Sequence, residues 1–243
     1  MVARIVFIIF QIVAGLASIA GWLFMLCSNE TNRLIALILF CICLLAICIS
    51  LIAGIFYYVR TNNPAPYLID AVYAKIVYTA PTEGSYEFFK TLQNKRMFMS
   101  EFTQKLNWTG SGLKNVQSPL SYSIDHKDEP YHMHKFVVKF KRPLVFNQVT
   151  TIHLNMDLED LHNTCEPWLG QDIKQPTHLL YFSVILKYKP ADYTKSAVIT
   201  KSLIGSPSAK ETVASVPFEQ KTMSYTYVLE PEMGYSYRIE WEK

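Results

Sequence analysis

The first 60 residues have almost no charge. Residues 5–27 contain no ionisable group except Cys27, and residues 34–58 are just as apolar. Each run exceeds the roughly 18–20 apolar residues that cross a hydrocarbon core. A purely cytosolic enzyme and a multi-span transporter are therefore excluded. We predict a two-helix transmembrane hairpin over residues 1–60, with spans at about 5–27 and 34–58.

Cysteine is scarce outside these apolar runs. Of the five cysteines, only Cys165 lies in the rest of the chain, so no disulfide framework is available there. This usage suits a reducing compartment such as the cytosol. Two arginines, Arg4 and Arg60, lie at the outer ends of the hairpin, whereas its turn has one arginine, Arg33, and one acid, Glu30. This excess of positive charge at the ends also favours cytoplasmic termini. The sequence predicts a multi-pass membrane protein with both termini and the following domain in the cytoplasm.

The rest of the chain has no excess of one charge. Beyond Arg4, Arg33, Arg60 and Glu30 it carries 20 basic and 19 acidic side chains. A protein that binds nucleic acid non-specifically needs a clear basic excess, so bulk nucleic acid is excluded as a partner. Any nucleotide ligand must be small and held in a pocket.

The usual catalytic motifs are missing as well. The chain has nine glycines and no phosphate-cradling glycine loop, CxxC pair, HExxH or GxSxG motif. The acidic stretch at 157–166 is expected to be solvated, because nothing indicates the burial that shifts a pKa. We predict that the protein is not an enzyme and has no cofactor.

His132 and His134 are the best local candidates for metal ligands. On a strand their imidazoles would share a face, and His153, His162 or nearby carboxylates could add ligands. Two donors at this spacing fall short of the three or four that a zinc site needs, so no metal site is predicted. A metal-dependent hydrolase built on these two histidines is the weakest alternative.

Beyond a short linker at 61–66, the dominant hydrophobic period is two. The clearest strand is 135–141, where apolar side chains alternate with lysines, and 179–188 is apolar on both faces, which indicates a central strand. Residues 85–95 are ambiguous and could hold a short helix. About eight short strands with Pro, Gly and Asn turns predict that 67–243 forms a small antiparallel β-barrel or β-sandwich.

Aromatic residues are abundant, with 15 Tyr, 14 Phe and 4 Trp. Most are expected to fill the core, because aromatics favour strands. In a closed barrel some could stack on purine rings while basic side chains meet phosphates. The candidate ligand-binding residues are Arg96, Trp108, His132, His134, Lys139 and Arg142.

Small residues recur at four-residue spacing in the apolar runs, which lets helix backbones approach closely. Gln11 is the only strongly polar side chain inside a run, and in lipid it requires a hydrogen-bonding partner. These positions either close the hairpin on itself or dock neighbouring subunits. The residues assigned to membrane self-association are Gln11, Ala17, Gly21, Ala46, Ser50 and Gly54.

Four segments carry a family resemblance. They are LNWTG at 106–110, the strand at 134–143, LED to EPWL at 158–169, and PTHL at 176–179. With the order of hairpin and β-rich domain, they resemble the two-transmembrane, β-strand-rich effectors of bacterial cyclic-oligonucleotide anti-phage signalling (CBASS). The resemblance implies a small barrel that senses a cyclic nucleotide made by a partner nucleotidyltransferase. It also implies hairpins that assemble and disrupt the bacterial inner membrane.

Two functions from different classes follow. The first is an anti-phage defence effector, in which a cyclic nucleotide controls the assembly of membrane-disrupting hairpins. The alternative is a membrane-anchored, non-enzymatic scaffold whose β domain holds a protein partner.

Overall fold

The computed structural model describes residues 29–118, 120, 123–206 and 209–242, preceded by Gln11, Gly15, Ser18, Ile19 and Gly21. The first predicted span, 5–27, therefore lies almost entirely outside the described residues. The chain divides into two units between Thr61 and Asn62, and each unit is described by itself.

The first unit contains one described helix, α1, at Glu30–Asn62. The side chain of Asn29 caps its start, because Oδ1 accepts the Thr31 N–H at 3.3 Å. Arg60 in the last turn complements the helix dipole. The helix has 33 residues and a stretch of mean hydropathy 3.3 with none of it buried, so it is long and apolar enough to cross a membrane.

The predicted two-helix hairpin and multi-pass topology are wrong. In the part of the chain that the structure describes, α1 is the one helix of membrane-spanning length. Apolar length suits a span, a signal sequence and a buried helix alike, so two apolar runs do not establish two crossings. The expectation that both termini and the β domain share the cytoplasm depended on two crossings and is wrong for the same reason.

The second unit contains 13 strands within the described residues. They are β1 Tyr67–Ala80, β2 Glu83–Asn94, β3 Phe98–Asn107, β4 Gly112–Gln117, β5 Ser123–Glu129, β6 Met133–Val145, β7 Val149–Glu159, β8 Trp168–Asp172, β9 Thr177–Leu186, β10 Ala197–Leu203, β11 Glu211–Val216, β12 Ser224–Leu229 and β13 Tyr235–Glu240. A six-stranded sheet has the order β12-β9-β1-β2-β7-β4, a four-stranded sheet β11-β10-β13-β8, and a three-stranded sheet β3-β6-β5.

This architecture corrects the predicted barrel or sandwich of about eight antiparallel strands. The three sheets are open, and β1 pairs with β9 in parallel, from Ile69 opposite Thr177 to Tyr78 opposite Leu186. Strands such as β5, whose sequence is SIDHKDE and mostly exposed, carry no apolar alternation that the sequence could show. The strand count was therefore too low, and the number of sheets could not be read from local periodicity.

Strand β2 corrects the ambiguous segment at 85–95. Every second residue from Tyr86 to Asn94 is buried, as a strand with one face on the core requires. Two of these buried positions are polar, Lys90 and Asn94. Because polar residues interrupt the apolar pattern there, the period of two was hidden in the sequence.

One continuous core joins the inner faces of the three sheets. Fully buried side chains come from each sheet, among them Phe88 of β2, Phe136 of β6 and Ile199 of β10. The side chain of Asn94 links two of the sheets. Its Nδ2 donates to the backbone oxygens of Arg96 and Leu144 at 2.9 and 2.8 Å, and its Oδ1 accepts the Arg96 N–H at 2.9 Å. Since Leu144 belongs to β6, Asn94 attaches the end of β2 to the three-stranded sheet.

We expect Asn94→Ala to lower the free energy of unfolding by about 2–4 kcal/mol, because it removes three hydrogen bonds and leaves buried backbone groups unpaired. Denaturant unfolding of the full-length protein in detergent, followed by tryptophan fluorescence, measures the change. The neighbouring Gln93→Ala is the control, since its amide makes one long hydrogen bond to the Asn147 oxygen at 3.2 Å. Equal losses in the two variants would contradict the bridging role of Asn94.

Candidate functional site

A cavity of about 470 Å³ lies in the second unit, with walls from all three sheets. This volume falls within the roughly 300–1,000 Å³ of small-molecule sites. The lining residues are Tyr67, Ile69, Ile76, Tyr86, Lys90, Phe102, Thr103, Gln104, Lys105, Leu106, Asn107, Trp108, Met133, Leu158, Trp168, Leu169, Gly170, Gln171, Asp172, Lys174, Gln175, Ser236 and Arg238.

The cavity is more basic than the domain around it. Its lining includes four basic side chains and one acidic one. Lys105 pairs with Glu129, and Lys174 pairs with Asp172 at 3.2 Å. The other two, Lys90 and Arg238, have no carboxylate partner among the described residues. The cavity therefore has two basic side chains that form no ion pair with an acidic side chain of the described chain.

Lys90 is the most unusual of these side chains, since it is only 4% exposed. Its Nζ donates to Oε1 of Gln104 at 2.9 Å and lies 5.0 and 5.2 Å from the ring centroids of Phe88 and Phe102. Strand β2 places it there, because Lys90 follows Phe88 in the buried phase of the alternation. A protonated ammonium has three donors, so the single bond to Gln104 leaves two for a ligand.

Burial lowers the pKa of Lys90 to about 7, because the charged form loses its hydration without gaining a carboxylate. The amine therefore exists in both protonation states near neutral pH. An anion in the cavity would favour the ammonium form and complete its hydrogen bonding.

Aromatic rings form much of the remaining wall. The rings of Tyr67 and Phe102 meet edge to face at 5.5 Å, and Tyr86 and Trp108 are almost fully buried. Burial raises the pKa of the Tyr67 and Tyr86 hydroxyls above the usual value for tyrosine. Both hydroxyls are therefore neutral at physiological pH. These rings give the cavity flat apolar surfaces beside the two cations.

Arg238 of β13 reaches the cavity through a stack on Trp168 of β8. Its guanidinium carbon lies 4.2 Å from the centroid of the Trp168 ring. Gly170 makes room for this stack. A Cβ there would lie 3.0 Å from Cγ of Arg238 and 3.1 Å from Cζ3 of Trp168. The Trp168 ring is also held by Nε1, which donates to Glu166 at 2.7 Å.

The loop between β7 and β8 is organised by Asp160, which corrects the expectation of a fully solvated acidic stretch. Asp160 is 1% exposed, and its carboxylate accepts the N–H groups of Thr164 and Cys165 at 2.7 and 3.0 Å. The buried carboxylate thus holds the turn that leads into Trp168. Asp157 and Glu166, by contrast, are exposed.

Of the predicted ligand residues, only Trp108 lines the cavity. Its indole Nε1 donates to the Glu159 oxygen at 3.3 Å, and its backbone N–H donates to the His132 oxygen at 2.9 Å. Arg96 lies outside the lining but close enough to Tyr67 for its charge to act against the raised pKa of that hydroxyl.

The other predicted ligand residues lie on or beside the three-stranded sheet, outside the cavity. His132 is an exposed turn residue with φ 59°, so it does not share a strand face with His134 as expected. Lys139 pairs with Asp125 at 2.6 Å, and Arg142 is exposed. None of these four residues lines the cavity with Trp108, although the His132 backbone oxygen accepts the Trp108 N–H; their ligand role stays a prediction.

The residues assigned to self-association are only partly described. Ala46, Ser50 and Gly54 are exposed on α1 at four-residue spacing, which places them on one side of the helix. Gln11 and Gly21 are exposed, and Ala17 lies outside the described residues. Self-association through this set stays a prediction.

Lys90 and Arg238 are not among the ligand residues predicted from the sequence. Lys90 could have been found by extending the alternation of Tyr86, Phe88 and Leu92, which places a lysine in the buried phase. Arg238 gave no such signal, because it alternates with Tyr237 and Ile239 as an outward residue would. Only the meeting of β8 and β13 with the other sheets brings it to the cavity.

Known proteins resemble this chain only weakly. No protein-family model and no curated protein matches the chain. Among solved structures, an M1 zinc metallopeptidase from Deinococcus radiodurans is similar at TM-score 0.36 and 12% identity, over 68% of this chain and 42% of that one. Yeast LTA4 hydrolase is similar at TM-score 0.42 and 10% identity, over 73% and 29%. Baculovirus P35 is similar at TM-score 0.38 and 6% identity, over 74% and 99%.

The chain spans about two fifths of the length of the metallopeptidase. Because all three TM-scores lie below 0.5, these likenesses establish neither a shared fold nor a shared activity. Neither the CBASS resemblance nor the prediction of a non-enzymatic protein gains support from them.

We expect Gly110→Ala to displace Trp108 and destabilise the cavity wall. A Cβ at Gly110 would lie 2.5 Å from Cζ2 of Trp108 and 2.7 Å from the Glu159 oxygen, whereas a Cβ at Gly112 meets nothing within 4 Å. Overpacking of this kind costs about 1–3 kcal/mol. Thermal unfolding of Gly110→Ala should show this loss, and the matched Gly112→Ala should unfold close to the wild type. The same loss in both variants would disprove the packing of Trp108 on Gly110.

Lys90 also predicts how stability depends on pH. Its pKa is about 7 in the folded chain and about 10.4 when unfolded, so between these values the unfolded state binds more protons. The free energy of unfolding should therefore rise with pH between about 7 and 10.4, by at most about 1.4 kcal/mol per pH unit. Below pH 7 the folded chain bears the whole cost of burying a charged Lys90. Unfolding of Lys90→Met at about pH 7.5 and 9 should lack this rise. The exposed Lys221→Met should keep it, and an unchanged slope in Lys90→Met would refute the assignment.

Proposed function

We propose that the protein is a non-enzymatic sensor that binds a small nucleotide in the cavity between its three sheets. The observation that carries the proposal is the presence of two basic side chains without a carboxylate partner, Lys90 and Arg238, beside aromatic rings in one cavity. A nucleotide combines the matching features, a negatively charged phosphate and a flat base. Phosphates suit the ammonium and guanidinium donors, and bases stack on aromatic rings.

The ligand must be small. A cavity of about 470 Å³ holds one compact ligand rather than a polymer, and the second unit has no basic excess that would attract nucleic acid. A cyclic nucleotide made by a nucleotidyltransferase, which the family resemblance implies, is the specific ligand that we propose to test first.

Membrane attachment is proposed for α1 alone. Its apolar side chains are exposed along the helix, which is stable in lipid and costly in water. Membrane disruption by assembled two-helix hairpins is not part of the proposal, because the described residues hold no such hairpin. The anti-phage role stays a prediction that rests on the resemblance.

The alternative is the membrane-anchored scaffold that binds a protein partner. Phe98 and Val145 form a cross-strand pair of β3 and β6 and are 66% and 51% exposed. Exposed apolar pairs of this kind occur in contact surfaces, although single exposed apolar residues are common. In this alternative the cavity plays no part in function.

The test measures ligand-dependent melting of the full-length protein in detergent with cyclic di-AMP, cyclic di-GMP, ATP and inorganic phosphate. We expect at least one nucleotide to raise the melting temperature, and Lys90→Met and Arg238→Met to weaken its binding at least about tenfold, as loss of a charge-assisted hydrogen bond does. Lys139→Met should bind like the wild type, because Lys139 lies outside the cavity. No shift with any nucleotide, or equal weakening in all three variants, would refute the proposal and favour the scaffold.

A further inference from the structure

Three side chains of types that ligate metals meet on the three-stranded sheet, and none of them lines the cavity. They are His126 and Asp128 of β5 and His134 of β6. Asp128 lies directly opposite His134 in the antiparallel register, and His126 precedes Asp128 by two residues. Because strand side chains alternate with a period of two and directly opposite residues share a face, all three project from the same face.

Their donor atoms converge. Nε2 of His126 lies 3.2 Å from Nδ1 of His134 and 3.2 Å from Oδ1 of Asp128, and Nδ1 of His134 lies 2.7 Å from the same oxygen. Ligands about 2.0–2.1 Å from a zinc ion lie about 2.8–3.0 Å apart in octahedral geometry and about 3.3–3.4 Å apart in tetrahedral geometry. The three atoms therefore form a triangle close in size to one face of such a coordination polyhedron.

The surroundings hold the two imidazoles in place and leave the carboxylate accessible. The His126 ring stacks on the buried Phe136 ring at 4.9 Å with an angle of 15°. The His134 side chain is 14% exposed, whereas that of Asp128 is 76% exposed. A cation bound by the three donors would keep its remaining coordination positions open towards solvent.

The same distances also fit a trio without a metal, in which both imidazoles donate an N–H to Asp128. In that arrangement each of the two facing nitrogens carries a proton. For metal binding the two facing nitrogens must present lone pairs, which in a neutral imidazole places the proton on the other ring nitrogen. The two arrangements differ in whether the protein takes up one metal ion per chain.

We propose that His126, Asp128 and His134 bind a divalent first-row transition-metal ion, with Zn²⁺ as the favoured occupant. Two imidazoles and one carboxylate are a donor set for such borderline cations, and three protein ligands with an open position are typical of sites that hold a water or an exchangeable ligand. None of the three residues lines the cavity, and the metal proposal does not rest on nucleotide binding. The site uses His134 but not His132. Its other two donors, His126 and Asp128, come from β5, which the sequence pattern did not mark as a strand.

The test is zinc binding by the full-length protein in detergent, purified without a histidine tag and treated with chelator. Calorimetry with Zn²⁺ alone should give one site per chain, and Co²⁺ should give the visible absorption of a protein-bound ion. His126→Ala and Asp128→Asn should weaken binding at least about tenfold, the loss that even an outer-shell change causes. Asp128→Asn is the variant most certain to fold, since its side chain is largely exposed and its shape is kept.

Two histidine variants serve as controls. His132→Ala removes an exposed turn histidine next to the cluster, and His178→Ala removes a histidine paired with Asp70 at 3.4 Å. Both should bind Zn²⁺ like the wild type. Circular dichroism confirms that each variant is folded. The proposal would be overturned if the wild type took up no stoichiometric Zn²⁺, or if folded Asp128→Asn and His126→Ala bound Zn²⁺ as tightly as the wild type. It would also be overturned if the two control variants lost as much affinity as these two.

Discussion

The second unit depends on how it buries polar side chains where its three sheets meet. Strand β2 places both an ammonium and an amide in its buried phase, at Lys90 and Asn94. Removing a charged amine from water costs several kcal/mol unless a partner compensates. Asn94 is compensated by three hydrogen bonds, but Lys90 has only the neutral amide of Gln104 and two aromatic rings. The low pKa of Lys90 expresses the cost that remains.

Asn94 and Lys90 therefore have different roles on β2, the first in joining the sheets and the second in the cavity. Asn94 joins β2 to the backbone of β6, and the same strands then supply the walls of the cavity. An apolar side chain at Lys90 would fill the core without a desolvation penalty. Positions that break local rules without internal compensation are typical of functional sites. The burial of Lys90 beside an accessible cavity is therefore better explained by a ligand than by packing.

Much of the secondary structure could be predicted from the sequence, but not its assembly. The alternation at 135–141 is part of β6, and the doubly apolar run at 179–188 corresponds to β9, which lies between β12 and β1. These predictions rest on the local period of two, which sequence displays directly. The parallel pairing of β1 with β9 and the separation into three sheets depend on contacts far apart in the chain, which no local period encodes.

The candidate site shows the same limit. Trp108 was predicted as a ligand residue because aromatic and basic residues suit nucleotides, and it does line the cavity. Lys139 and Arg142 have the residue type of phosphate ligands, but both are exposed on β6 and lie outside the cavity. The two apolar runs at the N-terminus likewise predict two spans by composition alone, although hydropathy measures only whether a segment tolerates lipid. Residue type thus proved informative where burial agreed with it.

The cavity and the histidine cluster are adjacent along the chain. Met133 lines the cavity, and His134, the next residue of β6, belongs to the cluster. Coupling between the two sites would require a ligand that displaces Met133 and so moves the backbone that carries His134. Thermodynamic linkage makes such an effect reciprocal, because a change in zinc affinity on nucleotide binding requires an equal change in nucleotide affinity on zinc binding. The β6 backbone is the physical connection through which that coupling would pass.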